Sequence, residues 1–266
     1  MNLKFCSLAS GSSGNCYYVG NDKQGILIDA GIGVKTIKKR LKAIDVSLES
    51  ILGIFVTHDH YDHISSVGVL GEVYNIPIYS TQEILDGINK CYKVTDKLYH
   101  SKHPIEKGNA TTIGDFLVES FPVSHDSTDC VGYSISYKKT LFTIATDLGY
   151  INSEAAVHIV NSTSFVIESN YDEEILLQGP YPLFLKERIL SKKGHLSNHE
   201  MARFLSENYQ EHWKNIFLCH LSKENNTPEA AIQAVKTKLE ENNIEVNLHC
   251  QLMALPRTSP TCLFEL

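Results

Sequence analysis

Short apolar runs separated by polar loops organise this chain, and two periodicities alternate along it. Leu3–Ala9, Cys16–Val19 and Gly25–Asp29 are dense in β-branched, aromatic and aliphatic residues and read as strands. Between the first two lies the small-residue loop Ser10-Gly11-Ser12-Ser13-Gly14-Asn15. Val34–Ile44 then places apolar residues at 34, 37, 41 and 44, the spacing of one helix face. Gly53–Val56 is a further strand, followed by a polar, His-rich loop and a helix over Val67–Tyr74. Phe116–Val123, Val131–Tyr137 and Thr140–Ala145 read as strands, the last two as a hairpin around Lys138-Lys139. Phe165–Glu168 and Ile216–Cys219 complete the strand series. Ser197-Asn198-His199-Glu200 has the form of a capping box ahead of Met201–Tyr209. Thr227-Pro228-Glu229 supplies a cap, a tolerated proline and an acid at the head of Ala230–Glu241.

Strand-rich halves that each close with helices predict sheets packed between helical layers. No repeat, linker or low-complexity break divides the chain, so residues 1–266 are expected to form one domain. At 42% hydrophobic and 21% charged, the 266 residues can bury a sizeable core. With 24 basic and 31 acidic residues the net charge is −7, which excludes whole-molecule attraction to nucleic acid or anionic lipid but not local basic patches. No apolar run approaches the ~18 residues of a membrane span, and the N-terminus lacks the apolar core of a signal peptide. Seven cysteines form no CxxC pair, which predicts reduced thiols and a cytoplasmic location. Cys6, Cys16, Cys130, Cys219, Cys250 and Cys262 lie in or beside apolar runs and are read as small buried hydrophobes.

The chemistry concentrates in Thr57-His58-Asp59-His60-Tyr61-Asp62-His63, directly after an apolar strand. An HxHxDH pattern arises by chance in such a chain with a probability of roughly one in a thousand. Four ligand-type side chains in six residues can converge from one loop. Imidazole with carboxylate suits Zn, Mn or Fe rather than Ca or Mg.

This motif resembles the signature of the metallo-β-lactamase superfamily, and the resemblance extends along most of the chain. It implies a four-layer αββα sandwich. The family's upstream Asp matches Asp29 in ILIDAG, its third-motif His matches His125 in PVSHDS, its bridging Asp matches Asp147 in IATDLG, and its last His matches His220 in FLCHLS. Carried over residue by residue, the resemblance implies two divalent transition-metal ions. His58, His60 and His125 would hold the first; Asp62, His63 and His220 would hold the second; Asp147 would bridge them. Asp29 would orient the HxHxDH loop by hydrogen bonding.

SLASGSSGNCYY, THDHYDHI, ATDLG, ESNYD, GHLSN and HLSKENNTPE together look like the YycJ/WalJ group, related to ribonuclease Z and to a cyclic phosphodiesterase. Members of that group are described as metal-dependent exonucleases that degrade duplex DNA from the 5′ end. Glu168 and His195 match the Glu and His that ribonuclease Z uses to handle protons, so His195, Glu168 and Asp62 are the expected catalytic residues. The expected reaction is attack on phosphorus by metal-activated water, with His195 protonating the departing oxygen. The long β-CASP-type insert of ribonuclease J is absent, since 72 residues separate Asp147 from His220.

Several features carry substrate expectations of their own. Ser12, Ser13 and Asn15 offer close-approaching amides and hydroxyls for a phosphate, or else form a tight hairpin. Lys35, Lys38, Lys39, Arg40 and Lys42 crowd one helix, with Lys38 and Lys39 the favoured DNA contacts; Lys186, Arg188, Lys192 and Lys193 form a second cluster. Tyr61 and Tyr171 could stack on bases. Two rival functions remain: a hydrolase of small phosphodiesters, thioesters or lactones, and a metal-bearing regulatory module in envelope signalling. Intact matches at all seven ligand positions disfavour the second.

Overall fold

The computed structural model describes residues 2–244 and 250–266. Among them, two seven-stranded sheets pack face to face. The first contains β1 (Lys4–Ala9), β2 (Cys16–Gly20), β3 (Gly25–Ile28), β4 (Ile51–Phe55), β5 (Ile78–Ser80) and β6 (Lys102–Pro104), with β14 (Phe264–Glu265) outside β1. The second contains β7 (Ala110–Ile113), β8 (Phe116–Pro122), β9 (Val131–Tyr137), β10 (Thr140–Ala145), β11 (Ser164–Glu168), β12 (Asn215–Cys219) and β13 (Gln251–Ala254), in that spatial order. Each sheet is antiparallel at one side and parallel at the other, over β3 to β6 and β10 to β13. Parallel strands need crossovers, and those helices cover the outer faces to give the αββα sandwich. α1 (Val34–Lys42), α3 (Val67–Glu72) and α4 (Gln82–Lys90) pack with the first sheet, while α5 (Ser153–Asn161), α8 (Asn198–Glu207) and α9 (Pro228–Glu241) pack with the second.

Aromatic rings join the sheets. Phe5 on β1 lies 4.9 Å from Phe142 on β10 and 4.8 Å from Phe217 on β12, all three wholly buried. Truncating Phe5 to Ala should cost about 3–5 kcal/mol, because the rings around it cannot close on the void. Behind the second sheet, Trp213 packs edge-on against Phe165 at 4.9 Å, over Met201, Leu205 and Val235.

The expected strands and helices occur at their places, with ends shifted by one or two residues in most cases. Lys138, at φ 54°, turns the β9–β10 hairpin. Ser197 and Thr227 cap α8 and α9 by accepting from the backbone N–H of Glu200 and Ala230. The carboxylate of Glu200 pairs with Arg203 rather than returning to the cap. Three-residue strands β5 and β6, edge strands β7, β13 and β14, and helices α4, α5, α6 (Glu173–Gln178) and α7 (Leu183–Leu190) were not signalled by the hydrophobic pattern. Cys6, Cys16, Cys130 and Cys219 are buried as expected, but Cys250 is half-buried and Cys262 is exposed, because both lie near the chain's last short edge strands. All seven thiols are free. No helix among the described residues is long and apolar enough to cross a membrane.

One backbone feature recurs where strands reach the cleft between the sheets. Asp29 beyond β3, Asp147 beyond β10 and His220 beyond β12 all adopt left-handed conformations, at φ 60°, 55° and 53°. Such a residue turns the chain sharply at the strand's carboxyl end.

Candidate metal centre

The strand ends deliver their side chains to one place. β4 ends at Phe55 and the loop then carries His58 and His60 into the short helix α2 (Tyr61–Ile64), which holds Asp62 and His63. His125 follows β8 from the facing sheet, and Asp147, Glu168 and His220 stand at the ends of β10, β11 and β12. Donor atoms of His58, His60 and His125 lie within 4.8 Å of one another, as do those of Asp62, His63 and His220. His58, His63 and Asp147 make a further such group across the two. The chain thus brings together all seven residues expected to hold metal.

Hydrogen bonds fix which ring nitrogen each histidine presents. Asp29, wholly buried, accepts from the Thr57 N–H at 2.8 Å, the Thr57 hydroxyl at 2.9 Å and His63 Nδ1 at 2.7 Å. Having given its one proton to Asp29, the Thr57 hydroxyl can only accept from His58 Nδ1, 3.0 Å away. His125 Nδ1 donates to the Gly194 carbonyl at 2.8 Å, and His220 Nδ1 to Glu168 Oε1 at 2.9 Å. With its proton on Nδ1, the neutral form of each of these rings carries its lone pair on Nε2, and that of His63 receives the Asn15 amide at 2.9 Å. His60 is turned the other way, its Nε2 against the Asp126 carbonyl at 3.2 Å, so its Nδ1 is the nitrogen left for a cation.

The fit to a divalent ion rests on three orphaned atoms. Nε2 of His58, His125 and His220 is buried and has no hydrogen-bond partner among the described residues. An unsatisfied buried nitrogen is costly, and three of them beside Asp62 and Asp147 form a donor set for a transition-metal cation. Electrostatics divide the cluster: against its burial, Asp147, Asp62 and Glu168 push His220 well above its ordinary value. Burial pushes the His58 and His125 imidazoles below their ordinary value, favouring the neutral form that ligates metal. Burial acts likewise on His63, but Asp29, Asp147 and Asp62 outweigh it and push that ring up to about 9. Asp147 is held well below the usual carboxylate range: its burial is overcome by the surrounding imidazoles, His220 first.

Glu168 has no exposed surface and all its acceptor capacity is used. Oε1 accepts from His195 Nδ1 at 2.8 Å as well as from His220, while Oε2 accepts the N–H groups of Leu148 at 2.6 Å and Leu196 at 3.0 Å. Burial would raise this carboxyl, but the His195 charge and the two imidazole hydrogen bonds hold it below its ordinary value. His195 is only 17% exposed and lines the same cavity, of about 280 Å³, as His60, Asp62, His125, Asp147 and His220.

The expected substrate contacts divide. Ser12 lines the cavity, whereas Ser13 is exposed outside it. Asn15 is wholly buried, its amide donating toward His63 Nε2 at 2.9 Å and its carbonyl accepting from Gly11 N–H at 2.8 Å, so it is built into the hairpin rather than open to a phosphate. A Cβ on neighbouring Gly31 would stand 1.5 Å from the Asp62 carbonyl, which is why this loop requires glycine there. Lys38 and Lys39 line a separate groove with Lys42, Val46 and Leu48, away from the cavity. Arg40 is tied to the carbonyls of Leu8 and Thr258. Tyr61 stands at the surface with Lys93 5.0 Å from its ring centroid. Tyr171 is 5% exposed and packs with Leu176 and Ile189, so it has no free face for a base.

Sequence reasoning missed three polar residues. Asp59 binds the hydroxyls of Ser127 and Thr128 and so ties the HxHxDH loop to the loop after His125. Asn170 donates to the His220 carbonyl at 2.8 Å. Asp126 receives Arg188 from α7. Asp59, between His58 and His60, and Asp126, beside His125, each carried the signal of adjoining a predicted ligand, and Asn170 lay within the ESNYD segment.

The sequence profile of the metallo-beta-lactamase superfamily matches residues 9–183. The chain is 36% identical over 246 residues to exodeoxyribonuclease YycJ of Bacillus anthracis, covering 92% of each chain. It is 35% identical over 266 residues to exodeoxyribonuclease WalJ of Streptococcus pneumoniae, covering 100% of this chain and 99% of that one. Among solved structures, unliganded yeast PDE1 superposes with a TM-score of 0.71 at 13% identity, covering all of both chains, a likeness of fold.

Proposed function

The chain belongs to the metallo-beta-lactamase superfamily, in its YycJ/WalJ group, as a metal-dependent hydrolase, and from that membership we propose that it is an exodeoxyribonuclease acting on duplex DNA from the 5′ end. Residues 1–266 act as one domain in this reading, and the free thiols fit a reducing cytoplasm. Two divalent ions (Zn, Mn or Fe) would be held by His58, His60 and His125 on one side and Asp62, His63 and His220 on the other, with Asp147 between. Such ions, when bound, acidify water and offset the charge of a phosphodiester.

The observation that carries the reaction type is the pairing of buried Glu168 with half-buried His195 beside the cluster. A sugar alkoxide is a poor leaving group and needs a proton. Glu168 fixes His195 with Nδ1–H toward the carboxylate, so the proton for transfer sits on Nε2, the other ring nitrogen, at the cavity. A thiolate leaving group needs no such donor, which weighs against thioesters. Asp62 and Asp147 hold and orient, and Asp29 and Thr57 keep the HxHxDH loop in place.

The test is a panel of end-labelled duplex DNA, single-stranded DNA, RNA and bis-p-nitrophenyl phosphate, assayed with added Mn or Zn. Stepwise mononucleotide release from the 5′ ends of duplex DNA is expected. Turnover of the small diester with intact DNA would move the reading to a small-molecule phosphodiesterase. No turnover of any diester would overturn it.

A further inference from the structure

Among the described residues, one side chain with a permanent positive charge lines the cavity, Arg188, delivered by α7. Its charged neighbours there are carboxylates and titratable imidazoles. Arg188 makes a two-pronged pair with Asp126: Nε to Oδ2 at 2.5 Å and Nη2 to Oδ1 at 3.0 Å. The same Oδ1 lies 3.4 Å from His125 Nε2 and 3.9 Å from His60 Nε2. The Asp126 carboxylate therefore occupies the wall where an anion would meet both the histidine cluster and the guanidinium. A planar guanidinium receives two carboxylate oxygens and two phosphate oxygens with the same fork. The Arg188 side chain is 52% exposed, and ion pairs so open to water are weakly held, so exchange of one anion for another is easy.

Resting on the phosphodiesterase reading, we propose that Arg188 is a substrate-binding residue, which gives up Asp126 and takes the two non-bridging oxygens of the scissile phosphodiester. Asp126 is then the internal placeholder for those oxygens. The competing account is a tether that merely holds α7 to the loop after His125. The two differ in what neutralising each partner does. Freeing Arg188 helps a binder and harms a tether.

The test compares metal-loaded wild type with Arg188→Gln, Arg188→Lys and Asp126→Asn, reading inorganic phosphate binding by calorimetry and bis-p-nitrophenyl phosphate hydrolysis by rate. Arg188→Gln should weaken phosphate binding at least tenfold and lower kcat/KM by about 10²-fold, with metal content and Tm retained. Arg188→Lys should recover little, because an ammonium cannot fork. Asp126→Asn should bind phosphate as tightly as wild type or more so. Unchanged phosphate binding in Arg188→Gln would overturn the proposal, as would equal losses in Arg188→Gln and Asp126→Asn. The titration is decided without turnover, so a wild type that binds phosphate through Arg188 but cleaves no diester would overturn the phosphodiesterase reading alone.

Discussion

A single oxygen, Oε1 of Glu168, accepts from Nδ1 of His220 at 2.9 Å while also receiving Nδ1 of His195 at 2.8 Å. One buried carboxylate thus sets the tautomer of a proposed metal ligand and of the proposed proton donor.

The first prediction follows from that sharing. His195→Ala should keep its metal and its fold but lose about 10²–10⁴ in kcat. The loss should shrink for p-nitrophenyl leaving groups, which depart without a proton. Glu168→Gln should behave differently, since the amide also releases His220, and metal affinity should fall about 10–100-fold. Metal analysis beside rates on good and poor leaving groups separates the cases. Loss of metal in His195→Ala would assign that ring a ligand role instead.

Asp147 approaches both halves of the cluster, with Oδ2 3.3 Å from His63 Nε2 and Oδ1 3.8 Å from His125 Nε2. Asp147→Ala should reduce bound metal from the proposed two ions per chain toward none, as measured on purified protein by elemental analysis. Asp147→Asn should do so with less harm to folding, because Asn tolerates the left-handed backbone. Full occupancy with full turnover in either variant would end its bridging assignment.

Glu72 gives a pH dependence remote from the cluster. Burial would raise its carboxyl, but the Ser101 hydroxyl and the N–H groups of Tyr99, Ser101 and His100 together pull it down to about 2. A depressed folded-state value means stabilisation present above the unfolded value near 4.5 and lost as pH falls toward 2. Glu72→Gln should therefore lower Tm at pH 7, and the gap from wild type should close on acidification. A gap that persists undiminished at pH 2 would contradict this.

Charge reversal at Lys38 and Lys39 tests the groove along α1. If duplex DNA runs there, binding should weaken and its salt dependence flatten by about one unit of slope per lost phosphate contact. An unchanged slope makes that helix solvated surface.

Much of the centre was legible in the sequence because each proposed ligand follows an apolar strand and is of a type suited to metal: His58 to His63 after β4, His125 after β8, Asp147 after β10, His220 after β12. What the chain does not display is which polar residues meet across long separations. Asp59 and Thr128 are 69 positions apart, and Arg188 and Asp126 are 62 apart. The pattern left Asn15 open between a phosphate-facing loop and a tight hairpin, and what the chain does not display is the contact of its N–H with the Asp62 carbonyl at 2.8 Å. Strands β5 and β6, at three residues each, are too short to show a period.

The left-handed strand ends at Asp29, Asp147 and His220 carry a consequence for laboratory evolution. Each holds a non-glycine residue in a conformation that costs roughly 1–2 kcal/mol, and His220 lacks even the short side chain that makes the turn tolerable for Asp. Glycine or asparagine at these positions would relax the backbone while removing the group that the turn delivers. At Asp29 that relief is outweighed, because Gly there would orphan the buried Thr57 and His63 donors. A screen for heat resistance alone should therefore leave Asp29 in place, while one that also demands turnover should keep all three.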